Sequence, residues 1–251
     1  MSFSDGELER YARHIVLKEI GGAGQARLKA ARVAVVGAGG LGSPCLTYLA
    51  AAGVGQLTLI DDDVVSLSNL QRQTLFATAD IGQPKVAAAA ARLAALNPHV
   101  QVLPVAARLD EGNAEALLQG HDLVADGTDR FAARACVNRA CVALGVPLVV
   151  AAIGPFEGQV ARFEGHRPDS PCWACFAGAA EDRPGESCAE QGVLGALAGI
   201  IGALQALEVI RAITDFAPRP AGAMLLFDAL TLTARQVRIR KDPACPVCSS
   251  S

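Results

Sequence analysis

Short apolar runs alternate with longer segments of helical periodicity through the first 154 residues of the chain. Each run is four to six residues long and mostly apolar, as expected for strands that are buried on both faces of a parallel sheet. Because helical segments separate the runs, the pattern predicts an α/β fold with a Rossmann-like, doubly wound, mainly parallel sheet. The predicted strands are residues 33–36, 57–60, 100–105, 122–125 and 147–152.

The two ends of the chain follow other patterns. Residues 4–20 predict a helix that Gly21 and Gly22 end, and residues 25–31 predict a second, shorter helix. Residues 168–188 are rich in Pro, Gly and charge, and we predict an exposed loop there. After residue 154, apolar and polar positions alternate in three segments, which predict antiparallel strands that extend the sheet. Those segments are residues 158–163, 224–228 and 235–240.

One apolar run, residues 193–204, could be read as a membrane-spanning helix. It is shorter than the roughly 20 residues that a bilayer span needs. We therefore interpret it as a buried core or dimer helix and predict no membrane association.

Composition and charge narrow the classes of protein further. The chain has 251 residues, of which 51% are hydrophobic and 19% charged, so it is globular rather than disordered. Its net charge of −3 argues against broad nucleic-acid binding. The N-terminus has no signal-peptide pattern, which predicts a cytoplasmic location. Eight cysteines in that compartment indicate thiols or metal ligands rather than disulfides.

A glycine-rich loop follows the first predicted strand. Gly37, Gly39 and Gly42 fit the spacing G-x-G-x-x-G, with Gly40 between them, and a helix follows. Such a loop allows the backbone to approach phosphate, and Asp61 at the end of the second strand could accept hydrogen bonds from ribose hydroxyls. The alternative is a turn used only for helix–sheet packing. The motif alone favours a dinucleotide such as NAD, but the charges beyond it favour a triphosphate.

Lys85 is the first of these charges. It follows Pro84 in the first turn of an alanine-rich helix, where the helix dipole disfavours a cation. In a chain with few lysines, this position indicates an anion-binding side chain, although a solvated surface lysine is the alternative.

Two polar segments end neighbouring strands. The segment 68–73 contains Ser68, Asn69 and Arg72 after the second strand, and arginine can bind phosphate through two donors at once. Thr128 and Asp129 follow the fourth strand, at the sheet edge where open α/β sheets bind ligands. Asp129 could hold Mg²⁺ that bridges phosphate oxygens, or it could cap the helix that begins near residue 131.

Two C-x-x-C pairs lie in the second half of the chain. Four thiolates form the tetrahedral sulfur set that Zn²⁺ prefers in structural sites, so we predict structural zinc, with a redox disulfide as the alternative. The ligands would be Cys172, Cys175, Cys245 and Cys248.

The other cysteines lie apart from these pairs. Cys188 stands alone near the apolar run, either as a nucleophile or as a small loop residue. Cys45, Cys136 and Cys141 have apolar neighbours on predicted helices and are predicted to be core residues.

These motifs together resemble those of the bacterial MoeB/ThiF/HesA adenylyltransferases, relatives of the ubiquitin-activating enzymes. The resemblance covers residues 11 to 248 and includes Arg13 as well as Cys188 within Ser187-Cys188-Ala189-Glu190. It also rests on the glycine loop, Asp61, the segment 68–73, Lys85, the Thr128–Asp129 pair and the four paired cysteines.

The resemblance implies an activity. Such enzymes use Mg-ATP to adenylate the C-terminal glycine of a small ubiquitin-fold sulfur carrier that ends in Gly-Gly, and they release pyrophosphate. It further implies that Asp61 holds the ribose, that Asn69, Arg72 and Lys85 hold the phosphates, and that Asp129 holds the magnesium. It implies a homodimer in which Arg13 reaches the neighbouring subunit's site.

The resemblance also suggests how the chain divides. We expect a single domain over 1–251, with N-terminal helices over 1–30, a nucleotide-binding half over 31–154 and a carrier-binding and zinc half over 155–251. Residue 130 is Arg where several relatives have Asn, which affects how the acyl-adenylate is positioned. No rhodanese domain follows Cys248, so we expect a separate sulfur donor, a cysteine desulfurase or a rhodanese.

The carrier and the reaction class leave alternatives. The molybdopterin branch needs no enzyme thiol, whereas the thiamine branch uses a cysteine at the position of Cys188; the motifs here are closer to the molybdopterin branch. A NAD-dependent oxidoreductase is the main alternative function, but it leaves Lys85 and the cysteine pairs without a role. A non-catalytic carrier-binding module is the third.

Overall fold

A computed structural model describes residues 2–178 and 192–249 of the chain. The strands are β1 (Arg32–Val36), β2 (Gln56–Ile60), β3 (Gln101–Val105), β4 (Leu123–Asp126), β5 (Leu148–Ile153), β6 (Glu157–Phe163), β7 (Ala223–Asp228) and β8 (Thr233–Arg238). The helices are α1 (Asp5–Ile15), α2 (Gly21–Ala30), α3 (Gly42–Ala52), α4 (Lys85–Leu96), α5 (Ala114–Leu118), α6 (Phe131–Leu144), α7 (Ala174–Ala177) and α8 (Gly195–Thr214).

The eight strands form one sheet in the order β3-β2-β1-β4-β5-β6-β7-β8. β1 to β5 are parallel, and β6 to β8 continue the sheet as antiparallel strands. The predicted fold class is therefore confirmed. The strand order reverses between β1 and β4, and the carboxyl ends of strands at such a point form the usual ligand crevice of open α/β sheets.

The sheet separates two apolar cores. Alternate side chains of β1 point to opposite faces, so Val33 and Val35 belong to one core while Ala34 and Val36 belong to the other. The first core includes side chains of α3, α4 and α8, and the second includes side chains of α5 and α6. Because helices pack on both faces of the sheet, the parallel strands and their carboxyl ends are held in place from both sides.

α8 contains most of the apolar run that raised the question of a membrane. It is long and apolar enough to cross a bilayer, but half of its most apolar window is buried inside the protein. α8 packs against α3, β5 and β6, and Gln205 donates to the carbonyls of Asp126 and Val149 at 2.9 and 3.1 Å. Packing against the sheet therefore accounts for its composition, in agreement with the prediction of a buried core helix.

Two predictions about local structure are wrong. The first helix ends at Ile15, and Gly21 begins α2 with a φ of +59°, so this glycine serves the turn between two helices rather than a helix end. The predicted exposed loop is also incorrect over its described part. Cys172 and Trp173 are buried and α7 follows them, because tertiary packing overrides the polar composition of the segment.

Candidate functional site

A cavity of about 340 Å³ lies at the carboxyl ends of β1, β2 and β4. We call it the glycine-loop cavity. Most of the residues predicted for nucleotide binding line it, although they come from five separate segments of the chain. The predicted residues in its wall are Gly37, Gly39, Gly40, Asp61, Asn69, Arg72, Lys85, Thr128, Asp129 and Arg130.

Two positions of the loop require glycine. Gly37 has a φ of +90°, a backbone conformation that residues other than glycine rarely adopt. A Cβ atom on Gly42 would lie 2.0 Å from the carbonyl oxygen of Gly37. Gly42 therefore allows α3 to begin directly against the loop, and it is not a lining residue of the cavity as the motif had suggested.

The Asp61 carboxylate braces the loop. Its Oδ2 accepts from the N–H of Ala38 at 2.7 Å, and its Oδ1 accepts from the N–H of Asp63 at 2.8 Å. The side chain is partly exposed to the cavity. Asp61 can thus accept further hydrogen bonds there while it keeps the two strand ends together.

Lys85 points into this cavity from the start of α4, and it is only 3% exposed. Its Nζ lies 2.7 Å from Oδ2 of Asp63, and its backbone N–H donates to the Asp63 carbonyl at 2.9 Å. The alternative of a solvated surface lysine is therefore wrong. The ammonium has three N–H donors and Asp63 takes one of them, so two donors remain for a ligand in the cavity.

The segment after β2 supplies further donors. Arg72 donates one N–H to the carbonyl of Ser68 at 3.0 Å, and its aliphatic stem lies close to Gly40. Ser68 itself is exposed and does not line the cavity. Gln73 is buried, and its Oε1 has no hydrogen-bond partner among the described residues. An unpaired buried acceptor in the cavity wall is expected where a ligand or water completes the site.

The end of β4 carries a buried ion pair. The Asp126 carboxylate is fully buried, accepts from the N–H of Thr128 at 2.8 Å and lies 3.5 Å from Nε of Arg134. Burial raises the pKa of Asp126, and the nearby Arg134 charge offsets part of that rise. This pair fixes the backbone that leads to Asp129.

Asp129 is exposed, and no hydrogen bond or ion pair joins its carboxylate to another described residue. The N-cap position of α6 belongs to Arg130, so the alternative in which Asp129 caps this helix is not what the structure has. A carboxylate that faces the cavity without a protein partner is a suitable ligand for a hard cation.

A second, larger cavity of about 620 Å³ adjoins the first. We call it the strand groove, because it runs across β5, β6, β7 and β8. Leu41, Thr128, Asp129 and Ile153 line both cavities. A ligand lying in the strand groove therefore ends beside the glycine-loop cavity. Its other lining residues are Phe131, Arg134, Ala152, Gly154, Glu157, Gly158, Gln159, Leu226, Phe227, Asp228, Thr233 and Arg235.

The outer end of the strand groove has an apolar rim. Phe156 lies in the turn between β5 and β6, and Leu230 and Leu232 lie in the turn between β7 and β8. The three side chains are 46%, 73% and 76% exposed, and the N–H of Ala229 donates to the Phe156 carbonyl, which joins the two turns. Exposed apolar side chains beside a polar groove are typical of a protein-binding surface.

The four paired cysteines converge at one point, which we call the cysteine cluster. Their Sγ atoms all lie within 4.8 Å of one another, with Cys172 and Cys245 at 3.6 Å and Cys175 and Cys248 at 3.4 Å. These separations are too long for disulfides and suit four thiolates around one ion. The donor set therefore fits the predicted metal.

Three further sets of predicted residues remain: Arg13, Cys188 and the core cysteines. Arg13 is exposed on α1 and lines neither of them. Cys188 falls outside the described residues. The predicted core cysteines Cys45, Cys136 and Cys141 are all buried, and burial raises the pKa of the Cys45 thiol to about 12.

Several lining residues were missed at the level of sequence. Asp63 and Arg108 line the glycine-loop cavity, and Arg134 lines the strand groove. Gln73, the last residue of the predicted polar segment 68–73, also lines the glycine-loop cavity, although no individual role was predicted for it. Asp63 lies two residues after Asp61, which could have drawn attention to it. Arg134 had no such signal, because it looks like an ordinary residue of an apolar helix.

Several known proteins are similar in sequence to this chain over nearly its whole length. The ThiF family model matches residues 11–247. The molybdopterin-synthase adenylyltransferase of Salmonella typhimurium is 44% identical over 245 residues, which cover 98% of each chain. The sulfur carrier protein adenylyltransferase of Thermus thermophilus is 46% identical over 255 residues, covering 99% of this chain and 93% of the relative.

The fold also occurs in a solved structure with lower sequence identity. The crystal structure of PaaA superimposes with a TM-score of 0.79 at 26% identity and covers 96% of this chain and 76% of that one. The glycine loop, the eight-stranded sheet and the full-length sequence similarity lead to one assignment. This chain belongs to the ThiF family.

Proposed function

We propose that this protein uses Mg-ATP to adenylylate the C-terminal glycine of a ubiquitin-like sulfur carrier protein. The observation that carries the proposal is the shared wall of the two cavities: Thr128 and Asp129 lie between a glycine-lined cavity that contains Arg72 and Lys85 and a groove open to a polypeptide. The names of the two bacterial relatives support the same reaction.

Most of the predicted residues that line the glycine-loop cavity have a role in this reaction. Asp61 accepts from the ribose hydroxyls, and Asn69, Arg72 and Lys85 bind the phosphates. Asp129 is a ligand for Mg²⁺, which when bound supplies positive charge to the phosphate oxygens. The glycine loop contributes backbone N–H donors at the start of α3.

The chemistry needs no general base. The terminal carboxylate of the carrier is already ionised, and one of its oxygens forms a bond to the α-phosphorus while the bond from that phosphorus to the β-phosphate oxygen breaks. Pyrophosphate leaves with the electron pair. Negative charge grows on the phosphate oxygens, and the fixed cations Arg72 and Lys85 stabilise it.

The strand groove is the proposed path of the carrier's C-terminal tail. Glu157, Asp228 and Arg235 provide polar partners along it, and the apolar rim of Phe156, Leu230 and Leu232 provides the surface for the carrier's folded part. A small carrier domain on the rim with an extended tail in the groove places its terminal glycine beside Thr128 and Asp129.

The function is tested by mass spectrometry of candidate carriers incubated with the protein and Mg-ATP. We expect an added AMP on the C-terminus of a molybdopterin-type or thiamine-type carrier ending in Gly-Gly, and carrier-dependent exchange of labelled pyrophosphate into ATP. Comparing the two carrier types assigns the pathway, molybdenum cofactor or thiamine biosynthesis. An absence of both signals with every such carrier would contradict the proposal, and saturable NADH binding would favour an oxidoreductase instead.

The cysteine cluster holds a structural Zn²⁺ in this proposal. Four thiolates fill a tetrahedral ion completely and leave no position for catalysis. The ion would tie the segment at Cys172 to the segment at Cys245, which are otherwise distant in sequence. Thiolate ligands persist in a reducing compartment, which agrees with a cytoplasmic reaction.

We propose a homodimer in which Arg13, which is exposed on α1 and lines neither cavity, completes the partner subunit's site. We expect Arg13→Ala to lower pyrophosphate exchange about 100-fold, because one cation is lost from the reacting phosphates. If Arg13 acts across the dimer, mixing this variant with an inactive Lys85→Met variant restores about a quarter of the wild-type rate, since half the dimers then contain one intact site. Mixed dimers that stay inactive would show that Arg13 acts within its own chain.

A further inference from the structure

One face of α6 connects the two functional regions of the molecule. Phe131, Arg134, Asn138 and Val142 are spaced by three, four and four residues, so their side chains lie on the same side of the helix. Phe131 and Arg134 line the strand groove, whereas Val142 packs against the cysteine cluster. The groove and the cluster therefore share one rigid element.

Trp173, which lies in the segment of the cysteine cluster, packs against this face of α6. It lies between Cys172 and Cys175 in sequence and is 2% exposed. Its backbone N–H donates to Oδ1 of Asn138 at 2.8 Å, and Nδ2 of Asn138 donates to Sγ of Cys172 at 3.6 Å. The backbone of Trp173 is thus fixed by the same side chain that contacts a cluster sulfur.

The indole ring of Trp173 extends towards the groove. The Cζ atom of Arg134 lies 5.9 Å from its centroid, and the Phe131 ring lies 6.2 Å from it at an interplanar angle of 37°. A guanidinium over an indole face is attracted by the negative face of the ring, and the attraction is larger where water is excluded. The side chain of Arg134 is only 6% exposed, so this condition is met.

Arg134 in turn fixes the wall between the two cavities. Its guanidinium donates to the carbonyl of Thr128 and, at 3.2 Å, to the carbonyl of Ala151. Those carbonyls belong to the segments that follow β4 and end β5, and the Asp126 carboxylate lies 3.5 Å from Nε of the same guanidinium. A shift of Arg134 would therefore move Thr128 and the adjacent Asp129.

We propose that Trp173 is a positioning residue for adenylylation: the cysteine cluster holds its ring, the ring holds Arg134, and Arg134 holds the Thr128–Asp129 wall at which the carrier tail meets ATP. This inference rests on the proposed function and deepens it. It assigns the cluster a second task besides stability, because the cluster sets the geometry of a site to which it contributes no ligand atom.

The first experiment replaces the ring. Trp173→Leu removes the aromatic face, and we expect it to lower kcat of carrier adenylylation about 10-fold, with KM for ATP unchanged and one metal ion per chain retained. Trp173→Phe keeps an aromatic face and should stay within about twofold of wild type. The double variant Trp173→Leu with Arg134→Met should be no slower than Arg134→Met alone, because both changes break the same contact.

Three kinetic outcomes would overturn the proposal. A Trp173→Leu protein with full metal content and wild-type kcat would show that the ring only fills space. Additive effects in the double variant would show that Trp173 and Arg134 act separately. Loss of the metal from Trp173→Leu would show that the ring supports the cluster rather than Arg134.

The second experiment does not depend on turnover. Trp173 is the only tryptophan in the chain, so intrinsic fluorescence reports on this residue alone. Arg134→Met should shift the emission maximum of Trp173, whereas the control Arg139→Met removes an exposed arginine of the same helix that pairs with Glu111 and should leave the emission unchanged. Identical emission in the three proteins would contradict the contact. A wild-type protein that adenylylates no carrier would refute the proposed function while leaving this emission test valid.

Discussion

Replacing Lys85 by methionine is expected to lower carrier-dependent pyrophosphate exchange by at least about 100-fold, because one fixed cation is removed from a site where negative charge develops. Lys85 is buried in the wall of the glycine-loop cavity, where its charge is poorly screened by water. Methionine retains the length and the apolar stem of the side chain. The variant therefore tests the charge rather than the volume.

The fold should survive this change. Asp63, the partner of Lys85, has a side chain that is 67% exposed, so its carboxylate is hydrated when the ammonium is removed. We expect the urea midpoint of Lys85→Met to stay close to that of wild type, and Arg139→Met provides a control in which a cation is lost outside both cavities. An active Lys85→Met enzyme would mean that the phosphates bind elsewhere.

Removing one ligand from the cysteine cluster has the largest expected effect on stability. Cys172, Cys245 and Cys248 are completely buried, and a structural Zn²⁺ bound by four thiolates contributes several kcal/mol to folding. We expect Cys172→Ser to contain less than about a tenth of a zinc ion per chain and its midpoint of thermal unfolding to fall by at least about 10 °C. Elemental analysis and calorimetry measure the two quantities.

The matched control is another buried cysteine. Cys45 lies on α3, far in sequence from the cluster and fully buried, so Cys45→Ala creates a small cavity but removes no ligand. It should keep one zinc ion per chain and lose only a few degrees. Equal metal content in the two variants would contradict the assignment of the cluster as the zinc site.

The sequence was sufficient to predict a site residue where its function depends on the secondary-structure element that it adjoins. Gly37 and Asp61 directly follow buried strands, and Lys85 stands in the first turn of a helix where a cation is unfavourable. The alternation of apolar runs and helical segments also predicted the parallel sheet and its antiparallel extension. In these cases the neighbours in the chain already define the environment of the side chain.

The sequence was insufficient where tertiary packing defines the environment. Trp173 lies among proline, glycine and charged residues, a composition typical of exposed loops, yet it is buried between the cysteine cluster and α6. Arg134 becomes significant only because α6 packs beneath the ends of β4 and β5. No local pattern indicates either contact, since the partners are far apart in the chain.

The cysteine cluster joins the segment at Cys172 to the segment at Cys245, near the C-terminal end of the described chain, and this joint affects how the protein responds to a stretching force. Cys172 and Cys245 are separated by 73 residues, and α8, β7 and β8 lie between them. With an ion bound, a stretching force applied at the two termini bypasses this loop, so roughly 250 Å of contour length stays hidden until a metal–sulfur bond breaks. β7 and β8, which form the outer half of the strand groove, therefore bear no tension while the ion is bound.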